Sequence, residues 1–202
     1  MVRRMVIRTY LFDLDDTLIS TKIYAEIYEP VLKMIEKKLK IKREEIDGKA
    51  EELGFKKNKF GRWDSGDLCR EVGLVDEYYS ILGKQIGVVP VLYDTVIDLF
   101  KKIKSEKKRI GIVSNSMQRT IRLYLQKYNL LRYIEFIFSQ DDAGCRKNDQ
   151  RFWKKLIVKE KLIVRECLVI GDNPIDDGEV PQKLGFKTRL IKDKRDLTKI
   201  VV

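Results

Sequence analysis

Short apolar runs alternate with longer amphipathic ones along most of the chain, and the alternation becomes regular after about residue 88. The runs at 5–13, 110–114, 134–139, 167–171 and 186–191 read as apolar strand candidates. Between them, 94–104, 117–128, 149–161 and 177–183 carry apolar residues three or four apart, as in Val96, Ile97, Phe100 and Ile103. That spacing predicts helices with one buried face. Strand and helix in succession predict βα units, and a parallel sheet follows, because parallel strands are joined only through a crossover of about helix length. The stretch 20–87 breaks the rhythm. It holds no strand-like run but has Ile23, Ile27, Val31, Ile35 and Leu39 at a spacing of four, then helical patterns at 43–53 and from Asp64 or Ser65. Pro30 falls inside the first of these and predicts a kink or a restart there.

Composition narrows the chemistry. The 202 residues are 44% apolar, enough to bury roughly 70% of the unfolded surface. With 12 Gly and 4 Pro, the chain is not linker-like. It contains no histidine, which removes imidazole bases, Ser-His-Asp and Cys-His pairs, and His-ligated zinc. Cys69, Cys145 and Cys167 are odd in number and widely spaced, against a disulfide framework or a zinc ribbon. A reducing cytoplasm is the expected setting. No run approaches the roughly 18 apolar residues of a membrane span, and arginines interrupt residues 1–8 too often for a signal peptide. The formal charge of +11 comes largely from Lys and Arg interspersed with Glu, the pattern of solvated helix faces. It favours an anionic small substrate over nucleic acid.

Chemistry-bearing residues follow the apolar strands. LFDLDDTL puts Asp13, Asp15 and Asp16 after the first; Ser114 and Asn115 follow the second, and Gly171, Asp172 and Asn173 follow a later one. In an open parallel sheet, ligands bind at the carboxyl ends of strands, so these groups would converge on one crevice. Carboxylate donors without imidazole or thiolate select a hard cation such as Mg²⁺, and such a site suits phosphoryl transfer.

With these motifs in order, the chain resembles the haloacid dehalogenase (HAD) superfamily of hydrolases. The first motif is Asp13-Leu14-Asp15-Asp16-Thr17, and the second is Ser114 in IVSNS. The third is Lys147 in CRKNDQRF, where Asn148 stands in place of the usual proline. The fourth is Gly171-Asp172 with Asp176 and Asp177. The resemblance implies an α/β, Rossmann-like parallel sheet core with helices on both faces, built from 1–19 and 88–202. It also implies a small inserted α-helical cap subdomain over 20–87.

Asp13 is then the expected nucleophile, forming an aspartyl-phosphate, and Asp15 the acid and base. Ser114, Asn115 and Lys147 are expected to hold phosphate oxygens, with Arg146 as a competing cation. Asp13, Asp15, Asp172 and Asp177 are expected to hold Mg²⁺, with Asp177 favoured over Asp176 by spacing. Lys56, Lys57, Lys59, Arg62 and Trp63 read as a solvated basic-aromatic turn, with contact to an anionic leaving group as the alternative, and Tyr24, Tyr28, Tyr78 and Tyr79 as packing within the cap rather than a stacking platform. The implied function is a Mg²⁺-dependent phosphatase acting on a small phosphorylated metabolite. A 2-haloacid dehalogenase, a phosphomutase and a catalytically silent basic binding module are the alternatives. Asp15 and the acidic fourth motif disfavour the dehalogenase.

Overall fold

The computed structural model describes residues 6–58 and 60–200; Met5 of the first predicted strand and Lys59 of the basic turn lie outside them. In chain order the first elements are β1 (Thr9–Phe12), α1 (Lys22–Leu39), α2 (Arg43–Glu52), α3 (Ser65–Glu71), α4 (Val75–Val88) and α5 (Val96–Ser105). There follow β2 (Arg109–Ser114), α6 (Gln118–Lys127), β3 (Phe136–Ser139), α7 (Gln140–Ala143) and α8 (Gln150–Glu160). The last are β4 (Cys167–Gly171), a π-helical turn (Pro174–Glu179), α9 (Val180–Lys183) and β5 (Lys187–Leu190). Two compact units result: the chain up to Ser20 with the chain from Val91 onward, and Thr21–Pro90.

The first unit is a five-stranded parallel sheet in the order β3-β2-β1-β4-β5. β1 is central, and the winding reverses between β1 and β4, so the carboxyl ends of β1, β2 and β4 flank the crevice where such sheets bind ligands. Pleating sorts the strand residues onto two faces. Leu11, Val113, Phe138 and Val169 form one buried cluster with Phe152, Trp153 and Leu156 of α8. Edge contacts of Phe152 with Phe138 and Trp153, at 5.0 and 5.7 Å between ring centres, tie it together. On the other face Phe12 meets Phe100 of α5 at 5.1 Å. Helices therefore cover both faces. Each such buried ring contributes about 1.5–3 kcal/mol through the surface it removes from water.

The predicted helix at 177–183 is divided: the π-turn comes first and the α-helix begins only at Val180. Pro174 opens the turn with a φ already suited to helix. Asn173 caps it, its side-chain oxygen accepting the N–H of Ile175 at 2.9 Å and of Asp176 at 3.1 Å.

The second unit is all helix. Ile23, Ile27, Val31, Leu32 and Ile35 form the buried stripe of α1, and α4 buries Tyr78, Tyr79, Leu82 and Ile86. Helix α1 runs through Pro30 without a restart, because Pro30 lies on the exposed side, where water can serve the carbonyl it leaves unbonded. Trp63 departs from the solvated-turn expectation. It is buried, its indole N–H donates to Asp47 at 2.5 Å, and the Lys57 ammonium stands 4.7 Å from its ring centre. Among the described residues, no helix is long and apolar enough to cross a membrane.

Candidate active site

Asp13 is the first residue past β1, and its N–H continues the ladder by donating to the Ile170 carbonyl of β4 at 2.8 Å. Its side chain is buried against the Lys147 ammonium, which donates to Asp13 Oδ1. The same ammonium donates to Asp177 Oδ1 at 2.6 Å and to the Val113 carbonyl at 3.3 Å. All three N–H bonds of Lys147 are thus matched. Lys147 is 2% exposed whereas Arg146 faces solvent, so of the two neighbouring cations it is Lys147 that enters the cluster.

Asp177 reaches the cluster because Gly171 has no side chain. A Cβ there would lie 2.2 Å from the Asp177 carboxyl carbon. Asp177 Oδ2 accepts the Asn173 N–H at 3.2 Å, and Asp176, one residue earlier, accepts from Asn115 Nδ2 at 2.7 Å. Carboxylate oxygens of Asp13, Asp172 and Asp177 lie within 4.8 Å of one another. Asp15 stands outside that trio, its Oδ2 accepting the Ser116 hydroxyl at 2.6 Å.

The electrostatics follow from three carboxylates around one ammonium. Burial pushes the Asp13 carboxyl well above the usual carboxylate range; Lys147 opposes the shift, and Asp177 and Asp15 add to it. Asp172 reaches solvent yet is pushed up to about 6, first by desolvation and then by Asp177 and Asp16. Burial pulls Lys147 down, but Asp13 and Asp177 outweigh it, and the ammonium is held above its ordinary value and stays charged. The cluster is short of positive charge. An all-oxygen donor set with that deficit fits a hard divalent cation.

Five interactions of the site escaped the sequence reading: Ser116 with Asp15, Asp176 with Asn115, the Lys147 N–H with Asn115 Oδ1, the Val113 carbonyl, and the Trp153 indole N–H, which donates to the Lys147 carbonyl at 2.8 Å. Only the second serine of IVSNS left a visible signal. A Trp on the apolar stripe of a helix reads as core, and a strand carbonyl carries no side-chain signature.

A model of haloacid dehalogenase-like hydrolases matches residues 10–191. The chain belongs to that family. Among its relatives, pyrophosphatase PpaX of Bacillus cereus is 26% identical over 188 residues, 85% of this chain and 77% of its own. The HAD phosphatase of Thermococcus onnurineus superposes with a TM-score of 0.72 at 20% identity, over 92% of this chain and 86% of its own. The HAD-hydrolase YfnB of Bacillus subtilis, solved bound to magnesium, gives 0.60 at 19% identity, over 92% and 89%. At such identities the two structures speak for the fold alone. The chain is a HAD-family hydrolase.

Proposed function

We propose that this hydrolase is a Mg²⁺-dependent phosphatase that cleaves a small phosphomonoester through an aspartyl-phosphate on Asp13. The observation that carries the reading is the buried Asp13–Lys147–Asp177 cluster at the carboxyl end of the central strand. Mg²⁺ held by Asp13, Asp172 and Asp177, with the backbone carbonyl of Asp15, would supply positive charge against the phosphoryl oxygens.

In the first half-reaction an Asp13 oxygen bonds to phosphorus as the bond to the leaving oxygen breaks. Asp15 gives its proton to that oxygen, which departs as a neutral alcohol. In the second, Asp15 takes a proton from water whose oxygen bonds to phosphorus. The phosphorus–Asp13 bond breaks, and inorganic phosphate leaves. The Ser114 hydroxyl and the Asn115 N–H hold phosphoryl oxygens, and Lys147 neutralises another while keeping Asp13 oriented. The inserted helical unit serves in this reading as the cap that selects the leaving group. The free Cys69, Cys145 and Cys167 support a reducing, cytoplasmic setting.

Pyrophosphate is the second substrate class, favoured by the Bacillus cereus relative, a pyrophosphatase by name. It requires the same phosphorus–oxygen cleavage.

Phosphate release from sugar phosphates, phosphoglycolate, nucleotides, an aryl phosphate and pyrophosphate, with Mg²⁺ or EDTA, tests the reading. Release is expected to need Mg²⁺ and to vanish in Asp13→Asn. Turnover surviving in folded Asp13→Asn overturns the mechanism, and release from pyrophosphate alone moves the substrate to the second class. Silence across the panel removes the phosphatase reading.

A further inference from the structure

Lys147 is gripped along its backbone as well as at its ammonium. Its N–H donates to Asn115 Oδ1 at 2.8 Å, and its carbonyl accepts from Trp153 Nε1 at 2.8 Å. A carboxamide has an accepting side and a donating side, so Asn115 serves Lys147 in only one orientation. Asp176 selects it: the Asn115 NH₂ donates to Asp176 Oδ2 at 2.7 Å, which turns the amide oxygen toward Lys147. A reversed amide would set NH₂ against the Lys147 N–H and oxygen against the Asp176 carboxylate. Both contacts would be repulsive.

The π-turn gives its two adjacent carboxylates different tasks on the same lysine. Asp177 takes the ammonium directly, and Asp176 takes the backbone through Asn115. We propose that Asp176 and the side chain of Asn115 are positioning residues, a relay that holds Lys147 against Asp13. Its catalytic consequence rests on the phosphatase reading above. Its geometry does not. The link from Asp176 is charge-assisted, roughly twice as strong as a neutral hydrogen bond.

The test has two readouts. The first is amide hydrogen exchange at Lys147, followed by NMR in the full-length protein without metal. Asp176→Ala is expected to speed that exchange by about tenfold, the worth of one charge-assisted bond. Asp176→Asn, whose oxygen still accepts from Asn115, should keep it slow. Asn115→Asp sets two carboxylates face to face and should speed it. Adding Asp176→Asn to Asn115→Asp restores a donor and should slow it again.

The second readout is steady-state turnover on whichever phosphate ester the panel identifies. Asp176→Ala and Asn115→Asp are expected to lower kcat by about 10–100-fold with a smaller change in KM, and the Asn115→Asp/Asp176→Asn exchange to recover most of it. Wild-type exchange at Lys147 in Asp176→Ala overturns the relay, as does failure of the double variant to recover. A wild type that releases no phosphate removes the phosphatase reading instead, and the order of exchange rates still decides the relay.

Discussion

Lys147 shares its ammonium among Asp13, Asp177 and the Val113 carbonyl while burying its whole stem. Removing one partner of a buried ion pair leaves the other charge uncompensated, at a cost of about 3–5 kcal/mol. Lys147→Met is therefore expected to lower the metal-free unfolding free energy by that amount at pH 7. The loss should shrink in acid, where Asp13, whose carboxyl burial holds above the usual range, takes up a proton. Equal urea midpoints for the two proteins at pH 7 would show that the ammonium compensates nothing. At this scale the sequence supplied candidates in pairs, Arg146 or Lys147 and Asp176 or Asp177. Burial separated them, since Lys147 and Asp177 are enclosed while Arg146 faces solvent.

Strand ends, more than strand interiors, carry the chemistry at the scale of elements. Gly171 closes β4 and leaves room for Asp177 on the following π-turn. Gly171→Ala places a Cβ 2.2 Å from the Asp177 carboxyl, so either the turn or the strand must shift. The expected result is a loss of about 1–3 kcal/mol, typical of an overpacked site, with phosphate release falling as Asp177 leaves Lys147. A variant with wild-type melting temperature and turnover would show that Asp177 tolerates the displacement.

The strands were legible because apolar runs bounded by polar residues have few other readings. The π-turn was not, because its extra residue per turn leaves no periodic mark in six residues. The short α7 was missed too. It begins at a Ser139–Asp142 capping box, but four residues are too few to show a period.

For the molecule as a whole, the site and the surface respond to pH in opposite directions. Asp13 and Asp172 stand above their unfolded values, so between about pH 4 and pH 6 the folded form holds the Asp172 proton more tightly, and this contribution to metal-free stability falls as pH rises. Asp142, Asp149 and Asp196 are held low by Lys159, Arg151 and Lys199, and add stability over the rising acid range. Subtracting melting temperatures in EDTA from those in Mg²⁺ cancels the surface contribution. A cation that binds the folded carboxylates stabilises by mass action and competes with their protons. The gap is expected to be small at pH 5 and larger at pH 8. A gap that is absent, or equal at both values, counts against the carboxylate cluster as the metal site.

The order of apolar and amphipathic runs alone determined the parallel sheet, since it dictates which segments hide both faces and which hide one. The absence of histidine left the chemistry to carboxylates, hydroxyls, amines or thiols. Motif residues at strand ends marked the crevice. Tertiary structure alone decided which partners meet: Asp13 and Lys147 are 134 positions apart, and Asn115 and Asp176 are 61 apart. Local pattern encodes which face of a strand or helix is buried. A hydrogen bond between loops depends on how several such elements pack at once, and that is settled only when the sheet closes around β1.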